Sequence, residues 1–141
     1  MDGHVPGAVH INTDSFEPPA EDEEGNMSWM LADICILEKL LLDNGISSDD
    51  TVICTGPEPM AACRFAVICQ YMGVKDVRVM NGGLVVWKSF GYELAKDEVK
   101  PSPISEFGVK VPANPSLINS MEEVKNILEN EEKSKDFTLV D

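Results

Sequence analysis

The residues able to do chemistry cluster in one stretch, Thr51-Val52-Ile53-Cys54-Thr55-Gly56-Pro57-Glu58-Pro59-Met60-Ala61-Ala62-Cys63-Arg64. Its apolar run breaks at Gly and Pro and restarts at helical spacing, which predicts strand, tight loop and helix. A loop that empties into a helix N-terminus aims backbone N–H groups and the positive end of the helix dipole at one spot. Such a spot suits a thiolate or an oxyanion, so Cys54 is the first candidate nucleophile. The other cysteines, Cys35, Cys63 and Cys69, show no CxxC spacing. Cys63 and Cys69 fall on different faces of the expected helix, so neither a zinc site nor a disulfide framework is indicated. All three read as reduced, mostly buried thiols. His4, within Gly3-His4-Val5-Pro6-Gly7-Ala8, reads as a structural turn residue, and nothing places His10 near a cysteine.

The elements that must position this stretch follow from periodicity. Residues 3–11 begin with turn chemistry and end as a short apolar strand at 8–11. Residues 12–28 are acidic, carry Pro18 and Pro19, and read as a surface loop whose charge is solvated. Met30, Ile34, Leu37, Leu40 and Leu41 give a helix over 29–42 that Asn44-Gly45 stops. A buried strand at 51–54, a helix over 61–72 capped by Gly73, and a β-branched strand at 77–80 follow. Asn81-Gly82-Gly83 ends that strand, and a short helix over 84–90 closes at Gly91. Strands alternating with helices predict an α/β fold, a parallel sheet with helices on both faces. Residues 96–116 are rich in proline and read as a linker. Ser120 with Glu123 forms a capping-box pattern before a helix over 121–129, and residues 137–140 read as a last strand before Asp141.

A chain of 141 residues has room for one complete domain. Lys+Arg 11 against Asp+Glu 25 leaves a net charge of -14, which repels nucleic acid and anionic membranes as partners. No apolar run reaches the roughly 20 residues a membrane span needs, and no export signal opens the chain. The compartment is unassigned, because residues 1–12 read like the interior of a domain whose N-terminus lies elsewhere. The strand on the last residues points in the same way to a chain cut from a longer one.

Three segments together resemble the rhodanese family of sulfurtransferases. Residues 3–11 look like its first signature, residues 77–87 with Asn81-Gly82-Gly83 look like its second, and the strand and helix around 51–72 stand where its active-site loop belongs. Phe107-Gly108-Val109-Lys110-Val111-Pro112 with residues 114–124 resembles the linker of tandem thiosulfate sulfurtransferases. The resemblance implies a cysteine that takes sulfane sulfur from thiosulfate or mercaptopyruvate, becomes a persulfide, and passes the sulfur to cyanide or a thiol. It implies no metal and no organic cofactor, and it makes a neighbouring rhodanese domain of the same polypeptide the expected partner.

Register decides which residue stands at the nucleophile's place. In the family the cysteine lies six residues before the alanine of an Ala-x-Arg triplet, here Ala62-Cys63-Arg64, and that position is Gly56. Cys54 serves only if the loop is lengthened to residues 55–61, where Pro57 and Pro59 supply no N–H. The site-like loop is then Gly56, Pro57, Glu58, Pro59, Met60 and Ala61, and the Glu58 carboxylate opposes both a thiolate and an anionic donor. A phosphatase reading of Arg64, which needs five residues between cysteine and arginine, fails on spacing.

The resemblance also implies a central strand, preceded by a helix, ahead of Gly3, and neither is present there. The expected organisation is therefore residues 1–95 as a rhodanese-like domain lacking its first strand and helix, 96–116 as linker, and 117–141 as a helix and strand. That last piece either opens a second rhodanese-like domain or completes the first by docking residues 137–140 between the strands at 8–11 and 51–55, in this chain or a neighbouring one. The domain is expected to be silent and supporting. Two alternatives stand beside that: an active sulfurtransferase using Cys54, and a regulatory or protein-binding rhodanese-like module.

Overall fold

The computed structural model describes residues 3–130 and 133–140. After Asn12 the acidic stretch is more ordered than its charge suggests. The Asn12 side chain accepts from the Asp14 N–H at the head of a 3-10 turn over Thr13–Ser15. Phe16 then enters the core, its ring 5.2 Å from that of Phe65. Pro19–Glu21 (β1) and Met27–Trp29 (β2) form an antiparallel hairpin. Its turn is tied by the Asp22 carboxylate, which accepts from the Asn26 side-chain amide and from the N–H groups of Asn26 and Glu24. These bonds, that of the Asn26 side chain first, hold the Asp22 carboxyl below the usual carboxylate range. The stretch over 12–28 is largely exposed, as expected, but part of it is a hairpin rather than an irregular loop, because side-chain bonds to local backbone build a turn that composition does not reveal.

The next helix, Ile34–Asp43 (α1), starts later than its apolar period suggests, because Met27–Trp29 is already committed to β2. Leu37 and Leu41, one turn apart, are fully buried, and Gly45 leaves the helix at φ +71. Thr51–Cys54 (β3) pairs in parallel with Asp76–Val79 (β4), and Pro59–Met72 (α2) crosses between them and packs on both. This β-α-β unit is the parallel α/β architecture that the alternating pattern predicts. α2 starts at Pro59 rather than at 61, since proline at a first helical position lacks only an N–H that no intrahelical acceptor needs. Ala62, Ala66, Cys69 and Met72 form its buried stripe, small at one end so that the helix approaches the strands closely. Gly83–Ser89 (α3) follows a left-handed Gly82, and Met121–Glu129 (α4) carries the full Ser120/Glu123 capping box.

Residues 96–116 lie on the domain. Phe107 is 3% exposed and its carbonyl accepts from the N–H of buried Ser48, while Ala113 and Asn114 donate to the carbonyls of Met72 and Tyr71. At the other end, His4 and Ala95 exchange backbone hydrogen bonds of 2.9 Å. The His4 ring reinforces this pin: Nδ1 lies 2.9 Å from the Val5 carbonyl oxygen and Nε2 2.8 Å from that of Asp97. His4 is therefore structural, as its place in the turn indicates.

Two expected strands are not strands here. Among the described residues, neither 8–11 nor 137–140 has a ladder partner, and residues 137–140 are exposed. The last segment does not enter the gap beside β3 within its own chain. β-propensity measures how well a side chain suits a pleated surface, and it cannot by itself supply the neighbouring backbone. Among the described residues no helix is long and apolar enough to cross a membrane.

Two outcomes test this packing. Phe107→Ala should destabilise the fold by about 3 kcal/mol in a denaturant titration, as for a core aromatic; a change within about 0.5 kcal/mol would match a residue outside the core. For His4, both ring nitrogens face carbonyl oxygens, so the protonated ring donates to both, Val5 first and Asp97 second, and its pKa rises above 6.5. A raised pKa contributes stability below the unfolded value and loses it as pH climbs through the folded one. The gap in denaturant midpoint between the unsubstituted chain and His4→Ala should therefore shrink as pH rises above about 6.5, and a constant gap would contradict it.

Candidate active site

The loop that joins β3 to α2 is short, and glycines on two elements let it close. Gly83, at φ +55, sits against the loop so tightly that a Cβ added to it would come within 2.9 Å of the Gly56 carbonyl oxygen. Gly56 itself is open: a Cβ there meets nothing nearer than the Glu58 backbone N and O, at 3.9 Å. Position 56 can thus carry a side chain beside a backbone amide, and the sequence gives it none. Glu58 occupies the N-cap of α2 in an extended conformation and makes no side-chain cap bond. Pro57 and Pro59 have no N–H, which leaves Gly56, Glu58, Met60 and Ala61 to furnish the donors around the helix start.

Cys54 lies at the end of β3, 6% exposed, packed with Ala62 and Ala66 and flanked by Val52, Phe65 and Val77. Its thiol shares a hydrogen bond with the fully buried thiol of Cys69. That bond holds Cys54 below the ordinary thiol range while burial opposes it. Cys69 goes the other way, pushed far up first by the same bond, then by burial and by any charge on Cys54. Cys69 stands about 15 Å along the axis from the start of α2, at 1.5 Å per residue. Cys69 was not expected as a partner of Cys54. The signal for it is that Ala62, Ala66 and Cys69 share one helical face.

Cys35 and Cys63 are exposed, against the expectation of burial, because each falls on the outer face of its helix. Arg64, the residue of the Ala-x-Arg triplet, makes an ion pair with Glu17 and so ties α2 to the segment after the 3-10 turn rather than to the loop. Thr55, next to Cys54, buries a hydroxyl that has no hydrogen-bond partner among the described residues. This unsatisfied group belongs to a groove of about 540 Å³ that runs from the loop along the outer edge of β3. Val9, Ile11, Ile53, Thr55, Gly56 and Glu58 are among the residues that line it. His4 and His10 also border it, with the His4 ring directed at two carbonyl oxygens.

This architecture, a strand, a close-packed loop and a helix N-terminus beside an apolar groove, has relatives. Residues 1–90 match the rhodanese-like domain. The chain is 36% identical over 134 residues to thiosulfate sulfurtransferase YnjE of Escherichia coli, an alignment covering 93% of this chain and 29% of that protein. It is 33% identical over 98 residues to the sulfur carrier protein TtuD of Thermus thermophilus, covering 67% of this chain and 32% of the relative. Among solved structures, YnjE superposes with a TM-score of 0.75 at 37% identity over 89% of this chain, and wild-type EanB with 0.77 at 32% identity over 92%. The chain spans 29% of the YnjE structure and 32% of the EanB structure, so it corresponds to about a third of such proteins. A family match over most of the chain, shared by its sequence relatives and its structural neighbours, makes this protein a member of the rhodanese family of sulfurtransferases.

Proposed function

We propose that this domain is a catalytically silent rhodanese unit that supports a neighbouring, active rhodanese domain of the same polypeptide. The carrying observation is at Gly56: the loop has room for a side chain beside the Glu58 amide, yet the residue there has no nucleophile. The parent would transfer sulfane sulfur from thiosulfate or mercaptopyruvate to a thiol or cyanide through a cysteine persulfide. Relatives about three times as long as this chain, one of them a thiosulfate sulfurtransferase, support a parent with several such units. Glu58 points to the same role, since a carboxylate at the loop repels an anionic donor such as thiosulfate.

A second reading has an observation of its own. Cys54 borders the groove and its hydrogen bond from Cys69 favours the thiolate, so an active site built on Cys54 is the alternative.

Incubation with thiosulfate, followed by mass spectrometry of each cysteine peptide and by cyanide release, separates the readings. The unsubstituted chain should carry no cyanide-labile sulfur on Cys54. Gly56→Cys, in a Cys54→Ser background, should gain one on the introduced thiol. A labile sulfur on Cys54, lost in Cys54→Ser, would overturn the silent reading and establish the alternative. Failure of Gly56→Cys to gain sulfur would contradict the claim that the nucleophile is what the loop lacks.

A further inference from the structure

We propose that the His4 imidazole is a proton-operated latch: carrying a proton it holds the Asp97 end of the segment Glu93-Leu94-Ala95-Lys96-Asp97 against the turn at residues 3–5, and on losing it that end is released. The ring sets Nδ1 2.9 Å from the Val5 carbonyl oxygen and Nε2 2.8 Å from that of Asp97. Carbonyl oxygens only accept, whereas a neutral imidazole has a single N–H to give. In the neutral ring one nitrogen lone pair would therefore face an oxygen lone pair at hydrogen-bond distance. Only the imidazolium donates to both.

The two contacts are not equivalent. Val5 is the next residue in the chain, so its contact lies inside the turn and moves with the ring. Asp97 lies 93 residues away and joins two separate segments, which makes it the contact free to part. The inner end of the segment stays tied whatever the ring does. His4 and Ala95 exchange backbone hydrogen bonds of 2.9 Å, and the Trp87 indole N–H donates to the Glu93 carbonyl. Gly3 permits this close approach, since a Cβ there would fall 2.7 Å from the Ala95 carbonyl oxygen. Beyond Ala95, the next backbone hydrogen bond among the described residues is from the Ile104 N–H to the Leu42 carbonyl, at 3.0 Å. Loss of the ring's bond thus frees residues 96–103 and leaves the rest of the fold in place.

The surrounding charge favours the proton. The turn at 3–8 has no other charged side chain, and the facing segment carries exposed Glu93, Lys96, Asp97 and Glu98. His10 and Glu58 line the groove that His4 borders. The carbonyls of Val5 and then Asp97 raise the ring's pKa above 6.5, the Asp97 carboxylate adds to them, and burial opposes them. The latch is therefore closed in mild acid and opens as pH climbs through the folded value.

NMR of the full chain tests this on two readouts. In long-range 1H–15N spectra, His4 should titrate above 6.5, with both ring nitrogens protonated at the acid end. Backbone order parameters of Asp97 and Glu98 should fall along the same titration curve, from about 0.85 to below about 0.6. In His4→Gln, which has no ring proton to lose, they should not change with pH. A ring that titrates below 6.5, order parameters that stay fixed while the ring titrates, or the same pH-dependent fall in His4→Gln would each overturn the inference. None of these readouts involves sulfur, so the silent reading of Gly56 stands or falls separately.

Discussion

The parallel pairing of β3 with β4 under α2 is the constraint from which the rest of this structure follows. A parallel pair cannot be closed by a tight turn, so the chain must cross over, and α2 is that crossing. The crossing fixes where the loop lies, with a helix N-terminus above the strand end, and it fixes which side chains meet beneath it. Ala62 and Ala66 are small because α2 must come down onto β3 and β4 together. Among the described residues, β3 pairs with β4 along one edge. In a parallel sheet both edges of an inner strand are ordinarily met.

The same constraint explains how the loop holds its shape with glycine at position 56. The loop is closed by the approach of Gly83 to the Gly56 carbonyl, a contact between backbones that asks nothing of the residue type at 56. The chemistry can therefore be absent while the fold of the loop persists. Cys54 is a strand residue whose side chain alternates inward, and the thiol it meets belongs to the body of α2. Its lowered pKa comes from Cys69, not from the helix N-terminus where a family persulfide is expected.

The sequence made the β-α-β unit legible because its signals were local: the apolar run at 51–54, the helical stripe after Pro59, and Asn81-Gly82-Gly83 at the end of β4. Register counting from Ala62 points to Gly56, which lies in the loop between β3 and α2. What stayed hidden depended on partners distant in sequence. Phe16, amid acidic residues, reads as part of a surface loop until Phe65 comes to meet it. Phe107 reads as linker until Ser48 donates to its carbonyl. Residues 8–11 and 137–140 have the composition of strands, but a strand is defined by its neighbour, and among the described residues neither has a ladder partner.

The direct test of the account is sulfur transfer to the chain's own cysteines, read as mass added to the Cys54 peptide after exposure to thiosulfate. The account predicts no added sulfur on Cys54. A cyanide-labile sulfur there, lost in Cys54→Ser, would contradict it.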